Sequence, residues 1–355
     1  GPTEITSTDL KDSVDYSGGT VITRSSRYTM YSQKIISSNY KTLILESEPS
    51  YGVDKNEGFI VCDKLNLLNE AGEWFYDKSN NSVYLWTPND NNPTDHTIRA
   101  ATFDDGFFIH EKNHITINGL VFLQQGKNGI NIADGDYITV NNVDILNPDL
   151  IGIYASDGST SDITINNSYI SQANGGGIRC LGPNTTLLNN TIEKTGLLKN
   201  INKSTYSSSD NFGTGIYLRG DKSKVNYNKI IDSGYSGINW KGENSVIKNN
   251  YINNACLVLD DGGGIYTYNG SDFTEPGAAG SVIKNNIVLN VKGNRDGYPT
   301  SYDAGSGIYI DDRTHDVDIS GNTVKGCTYG IFLHRAGRIE VDSNKVYDCL
   351  VGLLT

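Results

Sequence analysis

The sequence predicts a right-handed parallel β-helix, and three observations predict it. A Gly-Ile strand recurs about every 22 residues, a second alternating strand recurs in step with it, and no stretch carries a helical period. A small residue followed by an apolar one falls at 106, 129, 152, 177, 215, 237, 264, 307, 330 and 352. Five of the nine spacings are 22 or 23 residues, two are 25 and 27, and the remaining 38 and 43 are a coil plus an insertion. Most of these strands are followed by a second one, as in ITINGLVF, ITVNNVDI, SVIKNNYI, VDISGNTV and IEVDSNKV. Its apolar–polar alternation is the period of a half-buried strand. Asn-Asn, Asn-Gly and Ser-Asn pairs stand at the bends, where residues that tolerate a left-handed backbone are needed. Such a unit cannot bury a face alone, so the coils must stack, each rising by about 4.8 Å. The L-x-x-L-x-L pattern of a leucine-rich horseshoe is missing.

Along the chain, residues 1–56 are expected to form N-terminal strands and first coils. Residues 57–100 are expected to be an antiparallel excursion, because GEWFYDKSNNSVYLWTP reads as a hairpin of two aromatic-rich strands. Residues 101–355 form the helix proper. The final VGLLT begins a new coil, so a continuation beyond it is expected.

Composition narrows the partners. Hydrophobic residues make up 37% of the 355, with 39 Gly and one Met, which suits short strands and tight turns. A net charge of -12, from 29 basic and 41 acidic residues, argues against nucleic acid or an anionic membrane as the main partner. No apolar run approaches the ~20 residues of a membrane span. The chain opens on Gly1-Pro2, which resembles a tag-cleavage scar, so a removed leader and a secreted, cell-surface or periplasmic monomer are expected. Cys62, Cys180, Cys256, Cys327 and Cys349 are an odd set without CxxC, indicating neither a zinc site nor a disulfide framework. Cys327 and Cys349 share a slot with Ala173, Thr195, Ser233 and Ala255, an internal ladder of small side chains.

The chemistry is expected on the Gly-Ile strand. Its second and fourth places point inward, so the third and fifth point outward. The third-place column reads Phe108, Asn131, Tyr154, Arg179, Tyr217, Asn239, Tyr266, Tyr309, Phe332. The fifth-place column reads His110, Ala133, Ser156, Leu181, Arg219, Lys241, Tyr268, Asp311, His334. Aromatic faces stack on sugar rings and charged groups bind hydroxyls or carboxylates, although stacked Tyr also simply stabilises a solenoid. Arg179, Tyr217, Arg219, Asn239, Lys241, Tyr266, Tyr268, Tyr309, His334 and Arg335 are therefore the expected substrate-binding residues. The insertions TGLLKNINKSTYSSSDNF, NGSDFTEPGAAG and KGNRDGYPTSYD interrupt the same central coils.

Acids gather there too. Asp260 and Asp261 precede one strand, Asp303 falls in the matching turn of the next coil, and Asp311 and Asp312 end that coil. Glycosidic hydrolysis needs two carboxyls, one as acid and one as base or nucleophile. The pair Asp261 and Asp312 is the first choice, with Asp260, Asp303 and Asp311 near. A rival chemistry is β-elimination, with Lys241 as base and Arg219 neutralising a uronate carboxylate, often with Ca²⁺ held by acids. A third reading is a non-catalytic glycan-binding solenoid. In the hydrolase reading no metal or cofactor is required.

The run DDGGGIYTYN, then GIYIDDRTHDVDISGNTV, then GIFLHRAGRIEVDSN resembles the β-helix glycoside hydrolases of the β-xylosidase and fucosidase types. The GEWFYD…VYLWTP hairpin is similar to one that precedes the helix in that group. The resemblance spans roughly residues 55–350 and implies catalytic acids in the central coils, which favours Asp261 and Asp312. Of the polygalacturonase motifs only a DD pair, Asp260-Asp261, is present. The Asn-Arg-His-Gly stretch of the chondroitinase B and alginate lyase type is missing.

Overall fold

A computed structural model describes residues 4–49, 51–156, 160–197, 212–270 and 273–355. Contacts divide it into two units, one built on residues 1–100 with 296–299 and the other on the rest of the described chain from 101 onward. Among the described residues there is no α-helix, and none is long and apolar enough to cross a membrane.

The larger unit is the parallel β-helix. A ten-stranded sheet, here the site sheet, runs in register through Phe107–His110, Ile130–Ala133, Ile151–Ala155, Gly176–Cys180, Thr214–Leu218, Ile238–Trp240, Gly262–Tyr268, Gly305–Asp311, Tyr329–Leu333 and Val351–Leu354. Two nine-stranded sheets complete the coils, one from Thr116–Asn118 to Gly337–Asp342 and the other from Val121–Leu123 to Lys345–Tyr347. The inward column Ile130, Ile153, Ile178, Ile216, Ile238, Ile265, Ile308 and Ile331 is no more than 1% exposed. Each such side chain contributes about 1.5–3 kcal/mol of burial.

The glycine that opens all but the last of these strands has a steric cause. A Cβ on Gly307 would overlap Val324 Cγ1 and lie 2.6 Å from the Gly330 carbonyl oxygen. The strand thus passes directly under the apolar side chains of the third sheet, and only Gly leaves room.

The Asn-Asn bends divide their labour. The first residue takes the left-handed backbone, with φ of 56° at Asn189, 57° at Asn249 and 56° at Asn285. The second turns its amide into the core, where Asn190, Asn228, Asn250, Asn286, Asn322 and Asn344 form a ladder. In each link an Nδ2 donates to the next Oδ1 at 2.9–3.1 Å, and that Oδ1 also accepts from a backbone N–H. The amides of this ladder thereby satisfy one another from coil to coil. All five cysteines are free thiols. Burial pushes the Cys180 and Cys327 thiols up to about 12, as expected of packing residues.

The smaller unit departs from expectation. The strands of residues 1–56 read as first coils form instead, with Phe59–Cys62, a five-stranded antiparallel sheet. Tyr31–Asn39 and Thr42–Leu45 are joined by only Tyr40 and Lys41, with Tyr40 at φ 48°. A two-residue connection closes an antiparallel hairpin, whereas parallel strands need a long crossover. Ile5, Val21, Ile35, Leu43 and Leu45 form its core. Trp74–Asp77 and Ser82–Leu85 pair antiparallel as a separate hairpin in this unit.

Replacing Asn286 by Ala would leave the backbone N–H and Nδ2 of Asn250 without their acceptor. Asn286→Ala is expected to lower unfolding free energy by about 1–3 kcal/mol, read as an earlier urea midpoint with an unchanged slope.

Candidate functional site

The site sheet brings the expected third-place column into one line. Successive partners are Asn131 with Tyr154, Tyr154 with Arg179, Arg179 with Tyr217, Tyr217 with Asn239, Asn239 with Tyr266, Tyr266 with Tyr309, and Tyr309 with Phe332. Their outward direction does not leave them all exposed. Tyr217 is 8%, Asn239 2% and Tyr309 3% exposed, because each rung covers the next. Tyr309 stacks on Phe332 at 4.7 Å and lies 5.2 Å from the Tyr266 ring.

The acids form a relay around these tyrosines. The Tyr309 hydroxyl donates to Asp261 Oδ1 at 3.3 Å. Tyr266 Oη donates to Asp311 Oδ2 at 3.0 Å. Asp311 Oδ1 accepts from the Asp312 backbone N–H at 2.7 Å and lies 2.8 Å from His334 Nδ1. His334 Nδ1 is 3.8 Å from Asp312 Oδ1, which Arg335 approaches at 3.4 Å. Asp261 reaches the cluster because its backbone turns there, at φ 54°, ahead of Gly262 and Gly263. Burial, reinforced by Asp261 and Asp311, holds Tyr309 well above the ordinary phenol range. Burial, then Tyr235 and Asp311, does the same to Tyr266.

Asp311 binds Tyr266, whose ring lies against the Tyr309 that binds Asp261, where spacing favoured Asp312. Asp312 lies one residue further along, on the His334 and Arg335 side. Two other expected acids have structural posts. Asp260 is fully buried, and its Oδ1 accepts from the Ala304 backbone N–H at 2.7 Å, pinning the end of the 292–303 insertion to the coil below. Asp303 faces Arg295 of the same insertion at 3.6 Å. A signal the sequence did not offer is Tyr235. It is buried in the turn one coil below, donates to the Asp261 carbonyl at 3.0 Å and packs edge-on to Tyr266.

The cations gather on the neighbouring rungs. Arg219 lies 3.8 Å and Arg179 4.9 Å from the Tyr217 ring centre. Arg219 Nη1 donates to the Leu218 carbonyl at 2.9 Å and to Asn239 Oδ1 at 3.1 Å, so Asn239 positions the arginine. Burial pulls the Arg219 guanidinium below its ordinary value, although it stays charged. Lys241 follows the Ile238–Trp240 strand and is half-buried, while Tyr268 is exposed in register with Asp311. Much of the insertion after 195 lies outside the described residues, as do 271 and 272 of the second insertion.

Asp311, Asp312 and His334 offer three ligand atoms within 4.8 Å of one another. Two carboxylates and an imidazole suit a transition metal better than Ca²⁺, which takes six to eight oxygens. A separate open groove of about 740 Å³ lies on another wall, lined by residues that include Tyr137, Thr139, Thr164, Lys222 and Lys224. It holds none of the expected site residues.

No curated protein matches the chain. Similar solved structures include PfbA, a surface adhesin of Streptococcus pneumoniae, at 14% identity over 70% of this chain and 79% of that one, with a TM-score of 0.36. Another is the A-module of the mannuronan C-5 epimerase AlgE4 of Azotobacter vinelandii, at 12% identity over 70% and 79%, with a TM-score of 0.20. The family described as right-handed beta helix region matches residues 75–212 and 199–355, which covers the coil stack and well over half of the sequence. The chain belongs to the right-handed β-helix family.

Proposed function

We propose that this protein is a glycoside hydrolase acting outside the cell on a polysaccharide or oligosaccharide, with Asp261 and Asp311 as its carboxyl pair. The observation that carries the reading is a pair of packed tyrosines on one wall of the β-helix, Tyr309 donating to Asp261 and Tyr266 donating to Asp311. Two carboxyls held by neighbouring tyrosines match what hydrolysis requires, a proton donor and an ionised partner at one bond. Asp311 takes the nucleophile or base role, because Tyr266, the Asp312 N–H and His334 converge on it and fix its orientation. Asp261 takes the acid role. Tyr268, 45% exposed beside Asp311, presents a ring face for a sugar.

β-Elimination is the second reading, favoured by Arg219 and Lys241, cations on adjacent rungs that meet no carboxylate among the described residues. Against it, Tyr217 is two rungs from Tyr266, about 10 Å at 4.8 Å per strand, so the arginines do not face the carboxyl pair. A panel of plant, algal and animal glycans separates the readings. Hydrolysis releases reducing ends without near-ultraviolet absorbance, elimination creates an absorbing unsaturated uronate, and a binding solenoid does neither.

Asp261→Asn and Asp311→Asn are each expected to lower kcat by about 10²–10⁴-fold with the fold intact. Asp312→Asn is expected to cost less than either, and Asp260→Asn to lower the melting temperature instead. Equal loss from Asp312→Asn would restore the pairing that spacing suggested.

The raised tyrosines fix an alkaline limit. A group whose native pKa exceeds its unfolded value stabilises the fold fully below the unfolded pKa, about 10 for Tyr, and loses that contribution as pH rises above it. Spectrophotometric titration should show a tyrosine step that coincides with alkaline unfolding. Tyr266 and Tyr309 should ionise only as the protein unfolds. Tyr309→Phe should make stability less steeply dependent on pH above that point.

A further inference from the structure

The geometry points to an anion-reading subsite at Arg179 and Arg219, and we infer that the polymer bound in this groove carries carboxylate or sulfate groups. The inference rests on the reading of this wall as a carbohydrate groove and names the class of sugar that it takes.

Two guanidinium groups flank one phenol ring, with Arg219 at 3.8 Å and Arg179 at 4.9 Å. Among the described residues neither meets a carboxylate. Arg219 spends Nη1 on a carbonyl and on Asn239, both uncharged. Arg179 donates to no acceptor among those residues, and its Nε is buried without a partner. The ionisable neighbours that act on Arg219 are Tyr217, Tyr266 and Arg179, none of them an acid.

This is costly in a folded chain. A desolvated cation normally recruits a carboxylate, and here a second cation of like sign stands beside it. Stacking on a single ring shared by both charges does not offset that. The protein is not short of acids, since it carries 41 against 29 basic residues. Lys241 adds a third cation on the next rung, its backbone N–H bonded to the Leu218 carbonyl. Two half-buried arginines with no carboxylate beside them among the described residues, in an acidic protein, are completed by an anion from outside. Guanidinium forks suit the planar carboxylate and the sulfate alike.

The position along the wall assigns the subsite its place. Two rungs, about 10 Å, separate Tyr217 from Tyr266. The charge is therefore read on a sugar beside the reacting one, which makes Arg179 and Arg219 specificity residues.

The test is calorimetric titration of the intact protein with three probes: glucuronate, glucose 6-sulfate and glucose. Glucuronate or glucose 6-sulfate should bind more tightly than glucose by about ten- to a hundredfold, and the stronger of the two names the anion. Arg219→Gln and Arg179→Gln should each remove that preference, and Arg219→Lys should retain part of it. Melting curves identify any variant that fails to fold, and the half-buried Arg179 carries the test if Arg219→Gln does. Glucose binding as tightly as both anions, or a preference that survives both Gln substitutions, overturns the inference. Asp261→Asn and Asp311→Asn should bind the anions as the parent does. If those variants also keep turnover, the catalytic reading falls and the subsite stands. If only the arginine variants behave as the parent, the subsite falls and the catalytic reading stands.

Discussion

A missing Cβ sets the phase of the whole stack. Where Gly307 passes beneath Val324, any larger residue would push the strand outward and slide its side chains relative to the coil below. Because the same glycine opens strand after strand, each third-place residue lands on the one beneath it. Backbone hydrogen bonds between coils then hold that phase, and the asparagine ladder holds the bends. The functional wall is a by-product of this register. Tyr217, Asn239, Tyr266 and Tyr309 are far apart in the chain and adjacent in space.

The repeat was legible in the sequence because its cause is local and periodic. The Gly-Ile spacing located every strand of the site sheet, and the third-place column came out in register. The N-terminal strands were not legible in the same way. They alternate like coil strands, and only the two-residue connection at Tyr40-Lys41 shows that they pair antiparallel. Nor did the Asn-Asn pairs disclose that their second residue turns inward, since bend preference accounts for only the first.

The carboxyl pair shows where one-dimensional reasoning ends. Residue spacing places backbones, but a tyrosine carries its hydroxyl several ångströms from its own Cα. Asp261 and Asp311 are brought together by the packed pair Tyr309 and Tyr266, and that reach has no signature in the period. Asp260 illustrates the converse. Adjacent to Asp261 in sequence, it points into the core and anchors the insertion at Ala304. The left-handed backbone at Asp261 separates the two acids, and no compositional cue distinguishes them.

Because every coil adds one strand to the wall, the distance between the arginine pair and the carboxyl pair is quantised. A point substitution cannot lengthen it by a fraction of a rung. Only gain or loss of an entire turn, or transfer of a side chain to the neighbouring strand, moves one group against the other. The solenoid thus behaves as a ruler with fixed graduations. Descendants of this scaffold would shift the arginine pair against the carboxyl pair by discrete jumps.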